Sequence, residues 1–339
     1  MTTIIDVAKK AGVSIKTVSR VMNNQANVRD ETRRRVREAM DLLDYSPNEA
    51  AQRMRSGKSS AIAMMYADPS GGYQSRFNHA MMQACSDAGR YLAVGLFEEE
   101  KGHWKEQLER FLDRTKVERL VLLPPMCDSS ILQDCLKQLG VRFVLVSPSR
   151  PAPSAPAVTM DDKSAAREMT QHLINLGHRR IAHITGRSDH IATLLRRQGY
   201  EEAINTFSAS AKITPIVIDG QFDFRVALAN VEKLLARKNR PTAIFAASDD
   251  MAAAAYMAAG KLGLNIPTDI SIVGFDDVPI AQTIWPSLTT VAQPFEAMAR
   301  ECVRLLCGHA DFSSNDNLTE FIIVPHTVVV RESCAKIRP

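Results

Sequence analysis

The sequence predicts a two-part chain: an all-α helix-turn-helix headpiece at the N-terminus, followed by a larger α/β region built on two doubly wound parallel sheets. Three observations predict it. The first 23 residues carry apolar residues at helical spacing, interrupted by a glycine. The positive charge excess sits entirely in the first 60 residues. From residue 61 onward, short apolar runs alternate with amphipathic stretches of helical length.

In the first stretch, TTIIDVAKKAGVSIKTVSRVMNN, residues Ile4, Val7, Ala8 and Ala11 would bury one face of a first helix. Gly12 permits the sharp turn that few other residues accept. Ser14 is placed to cap a second helix, in which Val18 and Val21 point inward and Ile15, Lys16, Ser19 and Arg20 point elsewhere. A short helix with Lys and Arg near the start of its outer face suits phosphates and base edges. An ordinary amphipathic helical hairpin satisfies the same spacing. Residues 28–45 read as a third helix, with Val36, Met40 and Leu43 buried and Arg33, Arg34, Arg35 and Arg37 on its surface. Asp30 and Glu31 complement the dipole at its start. Residues 45–61 allow one short helix after Pro47, ended by Gly57. It has little apolar surface and reads as a linker that needs a partner to become ordered.

Strand-length apolar runs follow at 61–66, 91–97, 119–124, 142–147, 180–185, 213–218, 242–247 and 270–275. Eight such strands separated by helices favour two lobes over one. A proline-rich break at 147–157 sits near the middle, at the expected lobe junction.

Residues 1–60 hold twelve Lys/Arg against seven Asp/Glu, and the remainder holds thirty against thirty-one. The basic surplus therefore belongs to the end expected to meet a polyanion. The six cysteines (Cys85, Cys127, Cys135, Cys302, Cys307, Cys334) form no C-x-x-C pair and no metal spacing, and read as packed, reduced thiols. No cofactor is implied. No apolar leader opens the chain and no segment is apolar enough to span a bilayer, so an intracellular chain is expected. Catalytic signatures are missing too: there is no G-x-S-x-G and no G-x-G-x-x-G. Gly57-Lys58-Ser59 looks like the end of a phosphate-binding loop, but Gln52 stands where its first glycine belongs. The expectation is a binding protein, not an enzyme.

Seven motifs, in order, resemble the LacI/GalR family of bacterial transcription regulators. They are DVAKKAGVSIKTVSRVMN in the headpiece, YSPNEAAQRMRSGKS in the linker, GHRRIAHITG at 177–186, RRQGYEEAI at 196–204, PTAIFAASDDMA at 241–252, IPTDISIVGFDD at 266–277 and PSLTTVAQP at 286–294. The resemblance spans essentially the whole chain. It implies a homodimeric repressor with a headpiece (1–46), a hinge (47–60) and a two-lobed, periplasmic-binding-protein-like core (61–339). The N-lobe would be about 61–160 plus 292–322 and the C-lobe about 161–291 plus 323–339. The hinge would become ordered on DNA. The family's C-terminal tetramerisation segment is not seen before Pro339.

By the resemblance, operator DNA is contacted by Thr3, Ser14, Ile15, Lys16, Thr17, Ser19, Arg20 and Asn23 of the headpiece and by Asn48, Ala51 and Met54 of the hinge. Lys16 and Arg20 can donate to guanine or phosphate, and Ile15 can touch a thymine methyl or pack inside the headpiece. Met54 stands where the family inserts a leucine into the minor groove, and Arg29 stands where it has a capping serine. A small effector in the interlobe cleft would meet Tyr73, Gln74, His190, Arg196, Phe222, Asp249, Asp276 and Trp285. Carboxylates that accept from hydroxyls, an arginine donor and aromatic faces suit a sugar. Asp249 equally suits the cap of the helix that follows it. A purine or amino-acid corepressor is the rival ligand, and Arg196 with His190 could pair with an anion.

Overall fold

A computed structural model describes residues 2–22, 28–45, 60–67, 71–98, 102–151, 155–208, 215–308 and 320–337. The chain forms two compact units, residues 1–59 and 60–339. Asn23, Asn48, Ala51 and Met54, and the hinge helix expected between Pro47 and Gly57, lie outside the described residues.

The first unit contains α1 (Ile4–Ala11), α2 (Ile15–Met22) and α3 (Asp30–Leu42). Thr3 and Asp6 form a reciprocal capping box at the start of α1. Gly12, at φ 64°, closes α1 in the left-handed conformation, and its N–H donates to Ala8 and Lys9 carbonyls. Ser14 Oγ accepts from Thr17 N at 3.1 Å and so caps α2. Val7, Ala8, Ala11, Val18, Val21, Val36 and Ala39 make the core. Ala39, rather than Met40 or Leu43, is the fully buried partner of Val36. Arg35 also departs from expectation. Its guanidinium donates to the Ala11 carbonyl at 2.6 Å and satisfies an end of α1, instead of serving only as free surface charge. Arg29 precedes α3 with no side-chain cap.

The second unit holds two parallel sheets. The larger takes β1 (Ala61–Tyr66), β2 (Tyr91–Leu96), β3 (Arg119–Leu122), β4 (Arg142–Val146), β5 (Ala157–Met160) and β11 (Phe321–Val324), in the spatial order β11-β5-β4-β3-β1-β2. The helices α4 (Gly72–Asp87), α5 (Trp104–Thr115), α6 (Ser130–Gln138) and α12 (Phe295–Cys307) belong with it. The smaller sheet has the order β7-β6-β8-β9, with β6 (Ile181–Thr185), β7 (Ile216–Asp219), β8 (Ala243–Ala246) and β9 (Ser271–Val273). Its helices are α7 (Asp162–Asn175), α8 (Ile191–Ser208), α9 (Phe224–Leu235), α10 (Asp249–Lys261) and the short α11 (Ile280–Thr283). An antiparallel pair, β10 (Thr290–Ala292) with β12 (Thr327–Val329), lies beside it.

Period-two alternation explains why the smaller sheet is covered on both faces. Ala182, Ile184, Ile244 and Ala246 enter the core under α9 and α10, whereas Ile181, Ala243 and Phe245 enter the one under α7 and α8. Near-continuous apolar runs are what such doubly covered strands require. Asp161, Asp223 and Ser248 cap the helices α7, α9 and α10. Four strands escaped the sequence reading: β5, β10, β11 and β12. Each has three or four residues and, unlike the equally short β3, β7, β8 and β9, none sits in a longer apolar run. β5 emerges from the proline-rich break, and β11 carries the larger sheet to Val324, past the crossover expected near 322.

α7 and α8 approach so closely at Gly199 that a Cβ there would stand 2.1 Å from the Lys163 carbonyl oxygen and 2.8 Å from Arg167 N. Backbone cannot yield as a side chain can. Gly199→Ala is therefore expected to cost about 1–3 kcal/mol or more by overpacking. Gly260, near the end of α10, has open space around it. Gly260→Ala is expected to stabilise by about 0.5–1 kcal/mol through helix propensity alone. Urea unfolding of the two variants side by side checks both signs.

Candidate functional site

A cavity of about 460 Å³ opens between the two sheets of the second unit. Ala67 follows β1, Leu123 to Pro125 follow β3, Ser147 follows β4, and Tyr73 and Gln74 come from the first turn of α4. From the other side, Arg187 and His190 follow β6, Gln221 to Asp223 follow β7, Asp276 follows β9, and Asp162 and Arg196 lie on α7 and α8. Gln293 enters where the chain crosses between the sheets. These positions are the carboxyl ends of parallel strands, where open α/β sheets place ligands. Ser147, Gln221, Phe222 and Asp276 all hold positive φ (47°, 56°, 53° and 119°). Non-glycine residues pay strain there, and such residues collect at ligand sites.

Arg196 is the centre of the polar floor. It is buried, and its Nε donates to Asp162 Oδ1 at 2.8 Å while Nη1 donates to the Ala247 carbonyl. Nη1 also lies 3.7 Å from Asp276 Oδ1, and the guanidinium stacks 3.6 Å from the Phe275 ring centroid. Asp276 Oδ1 accepts from Gln293 Nε2 at 2.6 Å. Burial pushes the Asp276 carboxyl up to about 7; Arg196 and the Gln293 hydrogen bond oppose this, and the Asp250 and Asp162 carboxylates add to it. The Tyr73 phenol is also pushed up by burial, with Asp276 and Asp162 contributing, so it stays a neutral donor. Tyr73 packs edge-on against Phe295, and His190 packs edge-on against Phe222 at 5.7 Å. The cavity thus offers aromatic faces on opposite walls with hydrogen-bonding groups between them.

Since folding raises the Asp276 carboxyl from 3.8 to about 7, its ionisation opposes folding. The stability of the neutral form is complete below 3.8 and is lost as pH rises to about 7. Asp276→Asn removes that proton. Relative to the variant, the unsubstituted chain is expected to lose stability by about 1 kcal/mol per pH unit between those limits and to level off above. Thermal melts of both chains across the pH range check the difference curve.

Six of the eight residues nominated for the effector line this cavity: Tyr73, Gln74, His190, Arg196, Phe222 and Asp276. Asp249 does not. It is fully buried, accepts from Thr290 Oγ1 at 2.6 Å and Val278 N at 2.9 Å, and burial pushes its carboxyl strongly up. Nor does it cap α10, because Ser248 takes that place and accepts from Met251 N. Trp285 is 80% exposed and lies outside the cavity. The next apolar residue, Leu288, takes the buried place in that segment and leaves the indole in solvent. Asp162, Arg187, Gln221 and Gln293 were missed. All four lie next to strand ends, so the carboxyl-end rule would have found them once the strands were placed.

On the headpiece, Ile15, Lys16 and Arg20 are exposed along α2, which removes the packed alternative for Ile15 (41% exposed). Thr17 and Ser19 are half-buried beside them. Thr3, Ser14 and Thr17 spend side-chain hydrogen bonds on local caps.

Residues 3–48 match the model of the bacterial regulatory proteins, lacI family, and residues 170–334 match the periplasmic binding protein-like domain. The chain is 31% identical to the HTH-type transcriptional regulator GalS of Salmonella typhimurium, across 99% of both chains. The chain belongs to the LacI family. This LacI-family protein is a DNA-binding transcriptional regulator, and its relatives are regulators, not enzymes. Among solved structures, the transcriptional regulator CelR in complex with cellobiose is 30% identical with a TM-score of 0.71, over 98% of this chain and 100% of that one. The lac repressor dimer bound to operator and the anti-inducer ONPF is 25% identical with a TM-score of 0.75, over 98% and 99%. Both share the headpiece and the two-lobed, periplasmic-binding-protein-like α/β core. No helix among the described residues is long and apolar enough to cross a membrane.

Proposed function

We propose that this regulator is a cytoplasmic homodimeric repressor, released from a palindromic operator by a sugar-type inducer held between its lobes. The N-lobe is about 61–160 plus 292–324, the C-lobe about 161–291 plus 325–339, and 47–60 is the hinge. The observation that carries the ligand class is the cavity wall: Tyr73 and Phe222 supply flat apolar faces, and Arg196, Asp276, Gln74 and His190 supply hydrogen bonds between them. Hexose rings offer the complement, with apolar C–H faces and a rim of hydroxyls. The cavity volume lies within the range of built small-molecule sites, and a relative of 30% identity is known with cellobiose.

Ligand binding acts by favouring one arrangement of the lobes, and it can shift the operator equilibrium only by its differential affinity for the two. The DNA contacts are Ile15, Lys16 and Arg20 on the exposed face of α2, with Thr17, Ser19 and the hinge residues on phosphates and the minor groove. The test is a thermal-shift screen of the full chain against neutral and acidic sugars, purines and amino acids. Hits are then scored by mobility shift for operator release. A sugar that stabilises the core and releases operator supports the reading. A purine or amino acid that stabilises the core and tightens operator binding replaces it with a corepressor.

A further inference from the structure

Asp189 is not part of the cavity wall, yet it grips two side chains that are. Its Oδ1 accepts from Arg187 Nε at 3.0 Å and its Oδ2 from Arg187 Nη2 at 2.7 Å, a two-pronged carboxylate–guanidinium pair. The same Oδ1 stands 2.9 Å from His190 Nδ1. A carboxylate only accepts, so the proton of that bond sits on Nδ1 and the ring is locked in orientation. The hydrogen bonds from Arg187 hold the Asp189 carboxyl well below the usual range, and His190 adds to this, so the group is charged at neutral pH.

Arg187 and Arg196 are the Lys or Arg side chains among the described residues of the wall. Arg196 faces Asp162 and Asp276, and Arg187 faces Asp189. Asp223 adds another wall carboxylate, which caps α9 through Val226 N. The cations are therefore matched and the acids outnumber them. An anionic ligand would enter a cleft whose positive charge is already spent, whereas neutral hydroxyls can share the lone pairs and N–H groups that remain.

We propose that Asp189 is a positioning residue that makes the cleft select an uncharged polyhydroxy effector over its carboxylated or phosphorylated counterpart. The inference rests on the sugar reading above. It opposes the rival reading in which Arg196 and His190 pair with an anion.

The test is calorimetric titration of the full chain with matched probes: glucose against glucuronate and glucose 6-phosphate, and cellobiose against cellobionate. The expected result is that a neutral member binds at least tenfold tighter than its acidic counterparts. Asp189→Asn keeps the shape but removes the carboxylate that Arg187 pairs with. It should weaken the neutral probe and strengthen the acidic one, closing the gap to less than threefold. Equal weakening of both probes would mean that Asp189 only supports the loop, and would overturn the proposal. An acidic probe that binds the unsubstituted chain as well as its neutral partner overturns it too, while leaving the sugar reading intact. If no sugar of either kind binds, the sugar reading fails and takes the inference with it.

Discussion

Arg196→Ala is expected to abolish release of operator by the inducing sugar, while operator binding itself survives. The guanidinium supplies donors at the cavity floor and holds the Asp276 carboxyl lower than burial alone would set it. Without it the effector loses a partner, and Asp276 becomes harder to ionise. A second cost falls on folding. Asp162 is a buried carboxylate whose ion pair is Arg196, and truncating one member of a buried pair costs about 3–5 kcal/mol. The Ala247 carbonyl also loses its donor. The headpiece is a separate compact unit with its own core, so the loss is confined to residues 60–339. Mobility shifts with and without sugar, run beside thermal melts, separate the two effects. Arg196→Lys keeps a charge but not the fork, and is expected to recover part of the stability and little of the response. Normal release by the alanine variant would remove Arg196 from the effector site.

On α2, Lys16 and Arg20 stand four residues apart, exposed on the same face. Each alanine substitution is expected to weaken operator binding by about 1–3 kcal/mol where the side chain reads a base edge. The double variant then loses roughly 30-fold or more, with core stability unchanged because neither side chain is buried. Fluorescence anisotropy over a salt series, on operator and on scrambled duplex, tells the two kinds of contact apart. A phosphate contact lowers affinity for both duplexes and lowers the salt slope by about one. A base contact lowers the preference for operator. Unchanged affinity at moderate salt would take that residue out of the interface.

Much of the headpiece was legible because its signals are local. Gly12 turns the chain, Val18 and Val21 face inward, and Ser14 caps α2, all within a few residues of one another. The role of Arg35 was not, since its acceptor on Ala11 lies 24 residues away. In the core, strands set within longer apolar runs showed, the three-residue β9 among them, while β10 and β12, of three residues each, are held by pairing with each other and lie in no such run. The resemblance brought Arg196 and Asp276 to the cleft by motif. It carried Asp249 and Trp285 there as well, and the packing sends one into the core and the other into solvent.

Short-range periodicity, turn chemistry and ordered motifs already specify the class of molecule: a basic headpiece, a linker, and a two-lobed α/β core. The character of the cleft comes from long-range packing. Whether a carboxylate is a ligand group, a buried strut like Asp249 or a clamp like Asp189 depends on burial and on partners far along the chain. Asp276 meets Gln293 and Arg196 across 17 and 80 residues. Charge pairing at such separations is set by how the sheets bring their strand ends together, which no local pattern encodes.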